Sequence, residues 1–248
     1  MKRFILICFL IFGLVKPVSA ISLIGSGIVG AGGGTTYLSK TFEGWSDLTG
    51  FDSTDQDPAN QMLLDTNSIC TGINSILQSS QAVGGTEGSF NFAQTDFYAS
   101  MQIYISSSSA PENADGIYVG GAWDESVNNM FLWFLYYQTD HYEVSFRYRN
   151  DAATLVYFHG NVNLGNTITA DALHTLYIRI IGGGAGTGEV WFAVDAGAWE
   201  KATGLTIATK ASNITKFSTA QMGFYGTKDA GDWVYYTDNL WAGDYDPK

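Results

Sequence analysis

Three arginines follow the first twenty residues, and each falls on an alternating stretch. In His141–Arg149, Tyr142, Val144, Phe146 and Tyr148 share one phase, while Glu143, Ser145, Arg147 and Arg149 share the other. In 174–181, Leu176, Ile178 and Ile180 stand opposite Thr175, Tyr177 and Arg179; in 188–195, Val190, Phe192 and Val194 stand opposite Glu189, Trp191 and Asp195. If these strands neighbour one another in one sheet, Glu143, Arg147, Arg149, Tyr177, Arg179 and Trp191 form a polar, aromatic-edged surface. Guanidinium forks there would bind sugar hydroxyls, uronates or sulfates, and a ring would stack on a pyranose face. The alternative is a solvated sheet face laced with cross-strand Glu–Arg pairs.

Other chemistry-bearing residues are less organised. Of seven tryptophans, Trp123, Trp133, Trp199 and Trp233 lie at or near expected strand ends or loops, where one or two could meet a ligand. Asp52, Asp55 and Asp57 cluster but lack the spacing and closing Glu of an EF-hand loop. His141, His159 and His174 are too scattered for a zinc motif. No Gly-x-Ser-x-Gly elbow occurs, and the run 31–36 lacks the Lys of a phosphate loop. Cys70 reads as a buried small hydrophobe rather than a nucleophile. Asn213-Ile214-Thr215 matches a glycosylation acceptor, which matters only in a eukaryotic secretory host.

Strands must position these residues. Further strand candidates run over 97–106, 116–123, 130–137, 154–159, 222–226 and 233–241, separated by Gly, Asn, Asp and Ser clusters. Gly182–Gly188 reads as a hairpin loop. Only Ala59–Asp65 and Ser68–Leu77 have the composition of short helices. Such spacing predicts an all-β chain of two packed antiparallel sheets, a sandwich or jelly roll.

The balance of 12 basic and 24 acidic residues, net −12, disfavours nucleic acid and anionic lipid surfaces as partners. Lys2 and Arg3, the apolar stretch Phe4–Val15 and the small residues Val18-Ser19-Ala20 have the pattern of a secretory signal, with an uncleaved anchor as the rival reading. Its removal leaves 9 basic against 24 acidic residues, or −15, and Cys70 as the one cysteine. We therefore expect a signal at 1–20, a Gly-rich lead-in at 21–40 and one domain at 41–246. The mature chain is expected to be exported, to the extracellular space, cell surface or periplasm, with no stable membrane insertion.

Four segments carry a family resemblance: Phe42-Glu43-Gly44-Trp45, the strand Asp96–Ile105, the stretch Gly188–Asp195 and the closing Trp233–Trp241. Together they resemble the concanavalin A-like lectin/glucanase superfamily, including laminin-G-like modules of secreted bacterial and phage proteins. The resemblance spans about 42 to 244 and implies a concanavalin A-like jelly roll with one concave face. It also implies a structural Ca²⁺ joining the first and last strands, with Glu43 and Asp238 at the matching positions. The Glu-x-Asp-x-x-Glu strand of laminarinase-like members is absent here. Arg147-Tyr148-Arg149 lacks the central Glu of the alginate-lyase strand, and Tyr157-Phe158 precede His159 where those enzymes carry Gln-x-His. The expected function is thus non-catalytic binding of a polysaccharide or cell-surface glycan. A glycoside hydrolase or polysaccharide lyase, and a structural surface or virion protein, are the alternatives.

Overall fold

The computed structural model describes residues 34–56, 60–80, 85–94, 96–112, 115–124, 129–138, 141–149, 155–158, 167–181, 189–201, 217–226 and 233–248. Residues 1–33, which include the expected signal and most of the expected lead-in, the expected hairpin loop 182–188, His159 and Asn213-Ile214-Thr215 lie outside them. In chain order the strands are β1 Thr36–Lys40, β2 Ser53–Gln56, β3 Asn60–Asp65, β4 Ser75–Ser80, β5 Gly85–Gln94, β6 Phe97–Ile105, β7 Gly116–Asp124 and β8 Asn129–Gln138. They continue with β9 His141–Arg149, β10 Leu155–Phe158, β11 Thr167–Ile168, β12 Leu173–Ile181, β13 Glu189–Val194, β14 Glu200–Lys201, β15 Phe217–Gly226 and β16 Trp233–Gly243. A 3-10 turn, Leu48–Gly50, is capped by the Asp47 carboxylate, which accepts from the Thr49 amide.

Two antiparallel sheets result. Sheet I runs β14-β13-β12-β6-β16-β4-β3, with β1 also on β16; sheet II runs β10-β9-β8-β7-β15-β5-β2, with β11 on β9. Period-two alternation aims one phase of each strand at the opposite sheet. Met101, Ile103 and Ile105 of β6, Leu176, Ile178 and Ile180 of β12 and Trp233 and Tyr235 of β16 supply the core from sheet I. Ile117, Val119, Trp133, Leu135, Tyr142 and Val144 supply it from sheet II. The Tyr142 and Trp233 rings meet across the two sheets at 5.6 Å. Each such aliphatic or aromatic side chain contributes roughly 1.5–3 kcal/mol by burial.

Three expectations are corrected. The described residues of the segments Ala59–Asp65 and Ser68–Leu77, Asn60–Asp65 and Ser68–Leu77, hold no α-helix; β3 and β4 pair there from Asn60↔Ser80 to Asp65↔Ser75. The run Met62-Leu63-Leu64 hides the alternation, because Met62 is buried while Leu63 is 48% exposed. The sandwich also begins inside the expected lead-in, since β1 pairs Thr36↔Gly243 through Lys40↔Leu240. Trp133 and Trp233 are core residues, 2% and 0% exposed, and are closed to any ligand.

Candidate functional site

The inward phase of β9 is Tyr142 and Val144, so Glu143 and Ser145 point to the outer side of sheet II. Outer positions of a two-layer sandwich are normally wet, yet Ser145 is fully buried and Glu143 is 8% exposed. Their cross-strand neighbours explain part of this. One row runs Tyr225, Tyr118, Phe134, Ser145 across β15, β7, β8 and β9; the next runs Gly116, Tyr136, Glu143, Thr167 across β7, β8, β9 and β11. Tyr118 and Phe134 meet edge to face at 5.2 Å, and Phe134 stacks with Tyr136 at 6.3 Å, forming an aromatic cluster separate from the core. Gly116 makes this possible, since a Cβ there would overlap the Phe134 ring. Beside the rings, His141 Nε2 lies 3.3 Å from Glu143 Oε1, and the Ser145 hydroxyl has no hydrogen-bond partner among the described residues. Aromatic rings, a hydroxyl and a His–carboxylate pair thus share one outer sheet face, on which Tyr118, Phe134, Glu143 and Ser145 are buried and Tyr136 and His141 half-buried.

The six residues expected on one surface divide between two. Glu143, Arg147 and Arg149 belong to β9 in sheet II, whereas Tyr177, Arg179 and Trp191 belong to β12 and β13 in sheet I. Both sheets turn their apolar phase inward, so the two polar phases point away from each other. Alternation tells which residues of a strand share a face, but not which sheet takes the strand. The strand positions of Arg147 and Arg149 are described, opposite Leu132 and Leu155; their side chains lie outside the described residues.

On sheet I, Arg179 does pair with Trp191, and its guanidinium lies 5.1 Å from the Tyr98 ring centre. Glu189 accepts from Trp191 Nε1 at 3.0 Å and pairs with Lys201, whose ammonium lies 5.4 Å from the Trp191 ring. The Lys201 and Trp191 bonds hold the Glu189 carboxyl below the usual carboxylate range. That corner is therefore largely a self-satisfied cross-strand network.

Glu43 and Asp238, distant in sequence, do come together. Phe42 turns into the core with φ 56°, Gly44 has φ 78°, and between them Glu43 is presented to the loop before β4. Its Oε1 accepts from the amides of Ile73 at 2.7 Å and Asn74 at 3.0 Å, and Asn74 Nδ2 donates back to the Phe42 and Trp45 carbonyls. Asp238 sits where β16 bulges before Trp241, with Asn239 at φ 49°. It is fully buried; Oδ1 accepts the Asn239 amide at 2.6 Å and Oδ2 has no partner among the described residues. Burial raises its pKa to about 7; the Asn239 hydrogen bond acts downward and the neighbouring Glu43 charge upward. A buried carboxylate with an oxygen unpartnered among the described residues, within electrostatic reach of a second carboxylate, is the donor chemistry a hard cation seeks, so the residues fit Ca²⁺. Among the described residues no three His, Cys, Asp or Glu side chains form a metal set, so backbone carbonyls and water would complete the coordination.

Nearby Cys70 is buried and its thiol is pushed up to about 12, first by burial and then by Asp238, as suits a structural residue. His174 holds the end of β12, with Nδ1 2.7 Å from Asp195 Oδ2. No helix among the described residues is long and apolar enough to cross a membrane.

No family model matches the sequence, and no curated protein matches it. Solved structures do resemble the fold. An endo-β-1,4-glucuronan lyase from the fungus Trichoderma reesei aligns with TM-score 0.61 at 14% identity, covering 85% of this chain and 96% of that one. The alginate lyase vAL-1 from a Chlorella virus aligns with TM-score 0.58 at 11% identity, over 85% of this chain and 100% of that one. The cellulose-induced protein Cip1 aligns with TM-score 0.57 at 14% identity, over 84% and 97%. The chain folds as a concanavalin A-like two-sheet jelly roll. At such identities the likeness is one of fold.

Proposed function

We propose that this chain is an exported carbohydrate-binding jelly roll that takes a polysaccharide or cell-surface glycan along the outer face of sheet II. The observation that carries the reading is half-buried Tyr136 and His141, the accessible members of a patch that continues into buried Tyr118, Phe134 and Glu143 on a face that does not pack against the other sheet. Arg147 and Arg149 extend the same strand and would meet acidic groups on the glycan. The fold's likeness to proteins named as lyases of glucuronan and alginate, and to a cellulose-induced protein, supports a glycan as partner.

One observation favours a second, catalytic reading. His141, paired with Glu143, stands one row from Tyr136, which puts a candidate base and a candidate proton donor on the glycan-facing side. A polysaccharide screen separates the two. Binding of one glycan class, weakened at least about tenfold by Tyr136→Ala, is expected. Appearance of unsaturated, ultraviolet-absorbing products, lost in His141→Ala, would establish a lyase. Wild-type protein that binds and cleaves none of the glycans would overturn both readings.

Calcium belongs to the same proposal as a structural cofactor. Glu43 and Asp238 would hold it, neutralising the buried carboxylate and tying the loop before β4 to the last strand.

A further inference from the structure

The opposite face of the sandwich carries an aromatic cage already filled by the chain's own tail. Tyr177 of β12 and Trp199, in the turn before β14, have ring centres 6.3 Å apart, and Tyr98 of β6 meets Trp199 edge-on at 5.8 Å. All three are half-buried on the outer side of sheet I. The segment Asp244–Lys248 crosses this surface. Asp244 Oδ1 accepts the Thr35 amide at 2.6 Å, and Tyr245 packs on Trp241 at 4.9 Å, so its start is anchored. Its end supplies the ligands. The Lys248 ammonium lies 5.5 Å from the Tyr177 ring centre and 5.2 Å from that of Trp199, and donates to the Gly197 carbonyl. Asp246 Oδ2 accepts the Trp199 indole N–H at 3.0 Å, and Asp246 Oδ1 accepts the Lys248 amide.

The bound tail thus displays the chemistry the cage selects: an ammonium within cation–π range of two rings, a carbonyl to receive it, and an acceptor for the indole N–H. A hexosamine with a free amino group offers the same set. Its apolar face stacks on Trp199 or Tyr177, its ammonium takes the place of Nζ, and a hydroxyl accepts from the indole. The excess of 24 acidic over 12 basic residues attracts such a polycation over long range. We infer that the Tyr177–Trp199 pair, flanked by Tyr98, is a second glycan site, specific for unacetylated aminosugars, that Lys248 occupies in cis and gates. It does not depend on the sheet II reading, because it uses neither that sheet nor its residues.

The test uses the whole protein, wild type and Lys248→Ala, titrated with glucosamine oligomers and with their fully N-acetylated counterparts at two salt concentrations. Lys248→Ala is expected to bind the unacetylated oligomer at least about tenfold tighter than wild type, more weakly at the higher salt and not at all when the ligand is acetylated. Trp199→Ala added to Lys248→Ala should abolish that binding while the melting transition remains cooperative. If Trp199→Ala does not fold, displacement of a Trp199 fluorescence change by lysine or methylammonium in Lys248→Ala serves instead. Equal affinity of wild type and Lys248→Ala, equal affinity for acetylated oligomers, or no binding in Lys248→Ala would each overturn the inference.

Discussion

Asp238 shows what a single buried carboxylate does to the chain. Folded, it keeps its proton to about pH 7, whereas an ordinary aspartate releases it near 3.8. The folded state therefore holds more protons in that window, and calcium-free stability falls as pH rises from about 4 to about 7. Asp238→Asn removes the loss. In chelator at pH 8 its melting temperature should exceed wild type by about 2–4 °C for each kcal/mol recovered. At pH 3.5 the two should coincide. Calcium should raise the wild-type transition at pH 8 and leave Asp238→Asn unmoved; a wild type that melts alike at pH 4 and pH 8 in chelator would refute this account of the burial. Cys70 makes a second residue-scale case. With its thiol near 12 and its side chain buried, it should react with a disulfide reagent at neutral pH only as the protein unfolds. Stopped reaction with native protein, and full reaction in denaturant, is the expected pair of results.

At the scale of elements, sheet II depends on glycine opposite its aromatics. Gly116 faces Tyr136 across β7 and β8 and leaves room for the Phe134 ring. Gly116→Ala forces that ring off the sheet and should cost about 1–3 kcal/mol, as overpacking does. Adding Phe134→Leu should recover part of the loss; denaturant melts of the single and double variants measure the coupling. The loop before β4 is built the same way. Gly72 has φ 93°, and a Cβ there would collide with Glu43 Oε1, so the loop closes only over glycine. These devices give each residue of the motif Phe42-Glu43-Gly44-Trp45, in the turn after β1, a separate task. One residue fills the core, the next clasps the loop, the third turns the chain, and Trp45 packs on Phe51 at 5.2 Å.

At the scale of the molecule, the two sheets give the chain two unlike outer faces, one enclosed and aromatic, the other open and crossed by the tail. Export remains a proposal resting on residues 1–20. It predicts that protein recovered outside an expressing cell starts at Ile21, read by N-terminal sequencing. Recovery only in membranes, with Met1 retained, would instead mark an uncleaved anchor.

Much of the fold was legible because alternation is a local property. Tyr142/Val144 against Glu143/Ser145, and Leu176/Ile178/Ile180 against Tyr177/Arg179, read correctly as inward and outward phases. The β8 run Phe131–Tyr137 was opaque, since both of its faces carry large apolar residues; it conceals Phe134 and Tyr136 on the outer side. The clasp residues Glu43 and Asp238 entered through resemblance, and no spacing in the chain links positions 195 residues apart. What the amino-acid order determined alone is the class: many strands, most with one apolar phase, two sheets and an acidic composition. Only the tertiary structure decided that β9 and β12 lie in different sheets and so parted the arginines. It also brought Lys248 onto Trp199 and set Asp238 beside Glu43. Strand pairing is chosen by long-range burial of whole faces, which local pattern cannot rank.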